Sequence, residues 1–298
     1  MSNGSLQPRA TKTQKREEAR EKARAMRETQ AKRDKRKRLI WQASTIVGVL
    51  AIVIAVFFGY QSWQKGQLSA SVGPANMVSD GLLLNAQGPV LTAAIPAGGE
   101  PVATTVDPSS NAVNITMYFD YLCPYCGQFE ATNGEYLKQL VANGANLELH
   151  PIAILTSNSA GTRYSERAAN AFACVANTDP NAAFAFHALL YANQPAEGST
   201  GLSDSQLKDF VKQAGANDTA TIDSCIDDQQ FKNWVQSATQ RALSQPIPNT
   251  EKQMSVKGTP TVIVNGQQYT GSLTDVNEFK AFVLQASSST GSTPTPTP

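Results

Sequence analysis

Residues 111–130 read NAVNITMYFDYLCPYCGQFE. The first nine, Asn111 to Phe119, are rich in β-branched and aromatic side chains, the composition of a strand. They run straight into Cys123-Pro124-Tyr125-Cys126, and helical patterning continues from about Cys123 to Asn143. Two cysteines three apart at a helix start face the same side of its first turn. The first sits at the N-terminus, where free N–H groups and the helix dipole favour negative charge. Disulfide exchange needs a thiolate that attacks and a second thiol that resolves the mixed disulfide. Cys123 is therefore the expected nucleophile and Cys126 the resolving thiol. Pro124 fits the first helical turn, where its missing N–H costs little. The competing reading of a CxxC is half of a zinc site, which needs two more ligands, commonly a second close pair. Cys174 and Cys225 are far apart in sequence, and the only histidines are His150 and His187. The pattern calls for no metal and no cofactor.

Downstream, Asn146 to Leu155 (NLELHPIAIL) reads as a second strand. A long helical region follows from about Thr162 to Ser244, with Ser203 and Asp204 placed to cap one of its helices and Gly215 to stop it. Strand character returns at Thr259 to Val264. Asn265-Gly266 is a strong hairpin-turn signal before the partner strand from Gln267 to Thr270. Asp275 to Ala286 closes as an amphipathic helix with Val276, Phe279, Phe282 and Val283 on one face. Strand, helix, strand, helical block, hairpin and helix is the order of an α/β thioredoxin-like fold with a helical insertion at about 160–246. The domain is expected over 109–288, and residues 289–298 as a disordered Ser/Thr/Pro tail.

Upstream the character changes. The 298-residue chain has a formal net charge of +1, but 1–38 is strongly basic and the remainder acidic. Leu39 to Tyr60, LIWQASTIVGVLAIVIAVFFGY, contains no charged residue. That is long enough to span a bilayer core of about 20 helical residues. Trp41, Tyr60 and Trp63 sit at its ends, where aromatic rings favour the headgroup level. The basic run Lys32 to Arg38 precedes it, so a single transmembrane helix is expected, with a cytoplasmic N-terminus and everything after Tyr60 outside the cytoplasm. A cleaved signal peptide, ending near Leu68-Ser69-Ala70, is the competing reading. The basic head serves topology and contact with anionic membrane lipid, and a nucleic-acid partner is not expected. Residues 61–108 read as a linker carrying a short hairpin or strand around Gly81 to Leu84.

The part beyond the span resembles the bacterial DsbA-like thioredoxin family, especially its membrane-anchored members. FDYLCPYCGQFE, SERAANAFACVAN, HALLYANQPAEGSTGLSDSQL and VKGTPTVIVNGQQYTG carry the resemblance, over roughly 110–287. It implies that Pro260 is a cis-proline facing the redox pair. Thr259 before it would expose backbone groups to which an extended substrate adds as a strand. It also implies cysteine-containing exported proteins as substrates and a quinone-linked membrane partner for recycling. That family's motif often carries histidine before the second cysteine; Tyr125 stands there in this chain and supplies no positive charge. Oxidase, reductase and isomerase directions stay open, as does a non-catalytic, chaperone-like binding module.

Outside the cytoplasm, Cys174 and Cys225 are expected to form a structural disulfide, the alternative being two buried thiols. Asp120, three residues before Cys123, is a candidate proton relay for Cys126, against a solvated or capping role. Glu130 has a weaker claim to function. His150 and His187 read as ordinary packed or surface residues.

Overall fold

The computed structural model describes residues 72–105, 112–250 and 254–289. The basic head, the 39–60 stretch, the start of the linker and the tail from 290 lie outside the described residues. Within them, no helix is long and apolar enough to cross a membrane.

Most of the stretch quoted first forms an internal strand of the sheet and the start of the helix after it. Asn114–Phe119 is strand β3, and β1 (Leu82–Asn85) with β2 (Gly88–Pro89) precede it. The first helix, α1, spans Pro124–Ala142, followed by β4 at Asn146–Pro151. Five helices make the insertion: α2 (Tyr164–Thr178), α3 (Ala183–Ala192), α4 (Asp204–Gln213), α5 (Thr219–Asp227) and α6 (Lys232–Ser244). The chain then returns as β5 (Thr261–Val264), β6 (Gln267–Gln268) and α7 (Val276–Ser289).

The six strands form one sheet in the order β2-β1-β4-β3-β5-β6. Among the described residues only β3 and β4 pair in parallel, with Met117 opposite Leu149, and α1 is the crossover between them. Strand β5 pairs antiparallel to β3, with Met117 opposite Val262. The central strand is covered on both faces: Ile115, Met117 and Phe119 enter the main core, and Tyr118 enters a smaller cluster with Ile152, Ile247, Val256 and Ile263. The sequence follows this burial: Asn114 and Thr116 alternate with Ile115 and Met117, and only the end of the strand, Met117-Tyr118-Phe119, is buried on both faces and continuous in apolar residues.

Several features differ from the sequence expectation: β5 begins at Thr261 rather than Thr259, and β6 ends at Gln268 rather than Thr270. Strand β4 ends at Pro151 rather than Leu155, because the chain beyond it turns so that the Leu155 N–H meets the Asp120 carboxylate at 2.9 Å. The linker's hairpin joins the sheet itself, through the antiparallel pairing of β1 with β4. The cap and stop signals of α4 coincide with the element. Ser203 caps α4 in a reciprocal box with Gln206, and Gly215 follows with a φ of +80°, the left-handed geometry that glycine adopts without a Cβ penalty.

The insertion is organised around α2, which is buried along nearly its whole length. Its alanines (Ala168, Ala169, Ala171, Ala173 and Ala176) let neighbouring helices approach closely, and Phe172 fills the space beside Phe119. Cys174 of α2 and Cys225 of α5 are joined in a disulfide with a Cα–Cα distance of 5.8 Å. On the other side, Phe129 of α1 meets Phe279 of α7 edge to face at 5.2 Å between ring centres.

Candidate active site

The redox pair lies where β3 hands over to α1. Cys123 is the N-cap residue of that helix, with extended backbone (φ −72°, ψ 116°), and Pro124 occupies the first turn. Helix starts leave N–H groups without partners, and a Ser, Thr, Asp or Asn side chain usually answers them. Here no side chain caps the helix. The Cys123 side chain sits at that position, and the nearby N–H groups of Tyr125 and Cys126 favour its charged form. A sulfur anion fills the cap better than a thiol does, because the donors and the dipole both favour charge.

The Cys123 thiol is accordingly lowered to about 6, first by the hydrogen bond from the Cys126 thiol, against the opposing cost of burial. Thr259 and the two N–H groups add to the lowering. The Cys126 thiol moves the other way, well above its ordinary value, because it is buried and lies beside the Cys123 sulfur. One cysteine is thus prepared to carry charge and the other to hold a proton. Both are reduced here, and they are 4% and 1% exposed. Tyr125 between them is 60% exposed.

The Thr259–Pro260 peptide is cis. The Thr259 carbonyl lies 3.2 Å from Cys123 Sγ and accepts from the thiol when it is protonated. The Thr259 hydroxyl is buried without a conventional partner, and it favours the thiolate form of both cysteines. The structure therefore brings Cys123, Cys126, Thr259 and Pro260 together, from segments 136 residues apart.

Asp120 is fully buried. Its carboxylate accepts from the Leu122 N–H at 2.8 Å, the Leu155 N–H at 2.9 Å and the Ser165 hydroxyl at 2.7 Å. Burial raises its pKa, and these donors oppose the rise. It is the backbone of Asp120 that meets the redox turn. Its carbonyl accepts from the Cys123 N–H at 3.0 Å and the Tyr191 hydroxyl at 3.2 Å, and its own backbone favours the Cys126 thiolate.

Four further contributors surround the site, and of their residues the sequence reading weighed only Glu130 and His187. Ser165 ties the insertion to Asp120, Tyr191 ties it to the Asp120 carbonyl, and Gln194 donates to the Tyr121 and Cys123 carbonyls. The fourth is a buried chain in which His187 bridges the Tyr121 hydroxyl at 3.1 Å and the Glu130 carboxylate at 3.0 Å. His187 is a packed residue, as expected, ringed by Phe119, Phe184 and Tyr191. His150 stacks on Tyr118 and lies 3.4 Å from Glu148. Cys174 and Cys225 are bonded to each other and so cannot complete a metal site with the CxxC. Among the described residues no group of three or more His, Cys, Asp or Glu side chains converges as a metal site would.

Paired thiols of opposite acidity, one of them at a helix cap, exchange disulfides, and that sets the class: a protein disulfide oxidoreductase. The chain belongs to the thioredoxin family, whose model matches residues 108–284. Among solved structures it is similar to reduced DsbA from Mycobacterium tuberculosis, with 26% identity, a TM-score of 0.50, and coverage of 70% of this chain and 99% of that one. Oxidised BdbD from Bacillus subtilis shares the fold at 18% identity and a TM-score of 0.51, covering 74% and 99%. MdbA, a thiol-disulfide oxidoreductase from Actinomyces oris, does so at 19% and 0.51, covering 73% and 98%. No curated protein matches significantly.

Proposed function

We propose that this chain is an anchored, extracytoplasmic oxidase that forms disulfides in exported proteins. The observation that carries the reading is the placement of Cys123 at the N-cap of α1, beside Cys126 and the Thr259 carbonyl, and the lowered Cys123 thiol favours the oxidase direction. In the oxidised enzyme a substrate thiolate attacks Cys123 Sγ, and the Cys123–Cys126 bond breaks. Cys126 leaves and takes a proton, which its raised pKa favours. A second substrate thiolate then attacks the substrate sulfur of the mixed disulfide and expels Cys123 as a thiolate. A low-pKa thiol leaves faster, and a stabilised reduced form makes the disulfide a stronger oxidant. The substrate loses two electrons and the cysteine pair gains them.

Location rests on two supports. The uncharged 39–60 stretch after a basic run fits an anchor with the domain outside, and the Cys174–Cys225 disulfide fits an oxidising compartment. Reoxidation then falls to a quinone-linked membrane protein. Substrates approach at the exposed Tyr125 edge and add as a strand to the backbone at Thr259.

The test is substrate trapping in the source cell. Cys126→Ser in the full-length chain is expected to accumulate mixed disulfides through Cys123, and Cys123→Ser to accumulate few. Acid-quenched alkylation is expected to recover the wild-type pair oxidised. Recovery in the reduced form would turn the reading to reductase or isomerase. Equal, redox-independent capture by both variants would reduce the domain to a binding module.

A further inference from the structure

We infer that Gln194 is a positioning residue for the nucleophile: from the helical insertion it holds the first turn of α1 in the geometry that favours a Cys123 thiolate. The inference rests on the exchange reaction proposed above and extends it to a residue outside the redox motif.

Gln194 lies two residues beyond the end of α3. Its amide nitrogen donates to the Cys123 carbonyl at 2.8 Å and to the Tyr121 carbonyl at 3.1 Å. An amide nitrogen has two hydrogens, so both are used, and the two carbonyl acceptors fix which end of the amide is nitrogen. The amide oxygen is turned onto Gly127, where an added Cβ would come within 2.1 Å of it. Gly127 is therefore the space that Gln194 needs.

The Cys123 carbonyl also accepts the first helical bond of α1, from the Gly127 N–H at 3.2 Å. Gln194 thus bonds the acceptor of that helical bond with its nitrogen and lays its oxygen over the donor residue. Three residues earlier, Tyr191 bonds the Asp120 carbonyl. Together these two side chains fasten the carbonyls of Asp120, Tyr121 and Cys123 to the end of α3.

Two consequences follow for the sulfur. The Cys123 carbonyl oxygen carries partial negative charge close to the sulfur and opposes a thiolate; the Gln194 donor offsets part of it. Fixing the backbone of residues 121–123 also keeps Cys123 at the N-cap, beside the uncapped first turn of α1. Packing alone would change stability; this arrangement also changes how readily Cys123 ionises.

The test titrates Cys123 in the reduced full-length chain by its rate of alkylation with iodoacetamide across pH, which needs no protein substrate. Gln194→Met keeps the length and removes the donors. It is expected to raise the midpoint by about one pH unit, slowing alkylation near pH 6 by about fivefold to tenfold and converging with wild type above pH 9. Gly127→Ala displaces the amide and is expected to shift the midpoint in the same direction. The double variant is expected to shift no further than the larger single one, because both remove one interaction. Gln194→Ser, at a partly exposed loop position, serves if the methionine variant does not fold. A wild-type midpoint in folded Gln194→Met (or Gln194→Ser) and Gly127→Ala overturns the inference. Failure of the oxidase reading is separate: the wild-type chain would then not oxidise protein thiols, whatever the titration shows.

Discussion

The domain contains two cysteine pairs that differ in almost every physical respect. Cys123 and Cys126 are three residues apart at a helix start. Cys174 and Cys225 lie 51 residues apart in sequence, on α2 and α5. The near pair has the α1 N–H groups, the Thr259 hydroxyl and a 60% exposed tyrosine beside it. Cys174 sits among the alanines of α2 and is wholly buried; Cys225 is 4% exposed. Burial is similar for both pairs, so burial does not decide reactivity. The helix terminus does: it supplies donors that a thiolate satisfies better than a thiol, and the middle of a helix has none to spare.

The sharpest way to break the comparison is to remove one sulfur from each pair. Cys123→Ser is expected to lower thiol oxidation of a reduced model substrate by at least about 10³-fold, since a serine hydroxyl at neutral pH is a poor nucleophile for sulfur. Cys174→Ala with Cys225→Ala is expected to leave the rate of the folded protein within about twofold and to lower stability instead. Closing a loop of this length contributes about 4 kcal/mol by loop entropy, a Tm change on the order of 10 °C for a domain of this size. Calorimetry of the oxidised proteins measures the second effect and stopped-flow exchange the first. A large rate loss from the far pair would mean that the disulfide supports the site through α2, by way of Ser165.

That link runs through Asp120. Asp120→Asn puts an amide among three donors, and its nitrogen cannot accept. The expected cost is about 2 kcal/mol in denaturant unfolding, with alkylation of Cys123 nearly unchanged. A selective slowing of mixed-disulfide resolution would assign Asp120 the proton-relay role instead.

How far these roles were legible depends on whether the interaction is local. The strand into Cys123-Pro124-Tyr125-Cys126, the Asn265-Gly266 turn and the Ser203 cap are written in adjacent residues, and each forms as read. Gln194 and Tyr191 act on backbone carbonyls 71 residues away, and a single polar side chain after a helix has no periodicity to reveal it. The early end of β4 has the same origin, because the competing partner of Leu155 is Asp120. Sheet order was also hidden: residues 82–89 lie in a Gly- and Pro-rich stretch, and only pairing with β4 shows them to be part of the sheet.

The two pairs also differ in their dependence on pH. The Cys123 pKa falls from an ordinary 9.0 to about 6 in the fold. A depressed acid contributes stability that is present above its unfolded pKa and is lost as pH falls through its folded pKa. The reduced protein is therefore expected to gain stability from pH 6 to 9 relative to the oxidised one, where Cys123 does not titrate. Above pH 9 the raised Cys126 thiol works the other way. The Cys174–Cys225 disulfide contributes nothing to this slope. Urea unfolding of both redox forms across that range reads the difference, and parallel pH profiles would mean that the thiolate is not stabilised by folding.

The smallest expected change is also the most informative about the direction of electron flow. Tyr125 is exposed and its substitution costs little in packing. In Tyr125→His a protonated imidazole adds positive charge beside the Cys123 sulfur, which the tyrosine cannot supply. The thiolate is already held by N–H donors and Thr259, so the added charge is partly redundant and solvent screens it. A fall in the Cys123 midpoint of about half a unit to one unit is expected, with a slightly more oxidising potential. Equilibration with glutathione measures that potential. A shift of several units would mean that the helix terminus contributes little and that the residue before Cys126 dominates. An unchanged midpoint would leave the backbone donors and Thr259 as sufficient cause of the contrast between the two cysteine pairs.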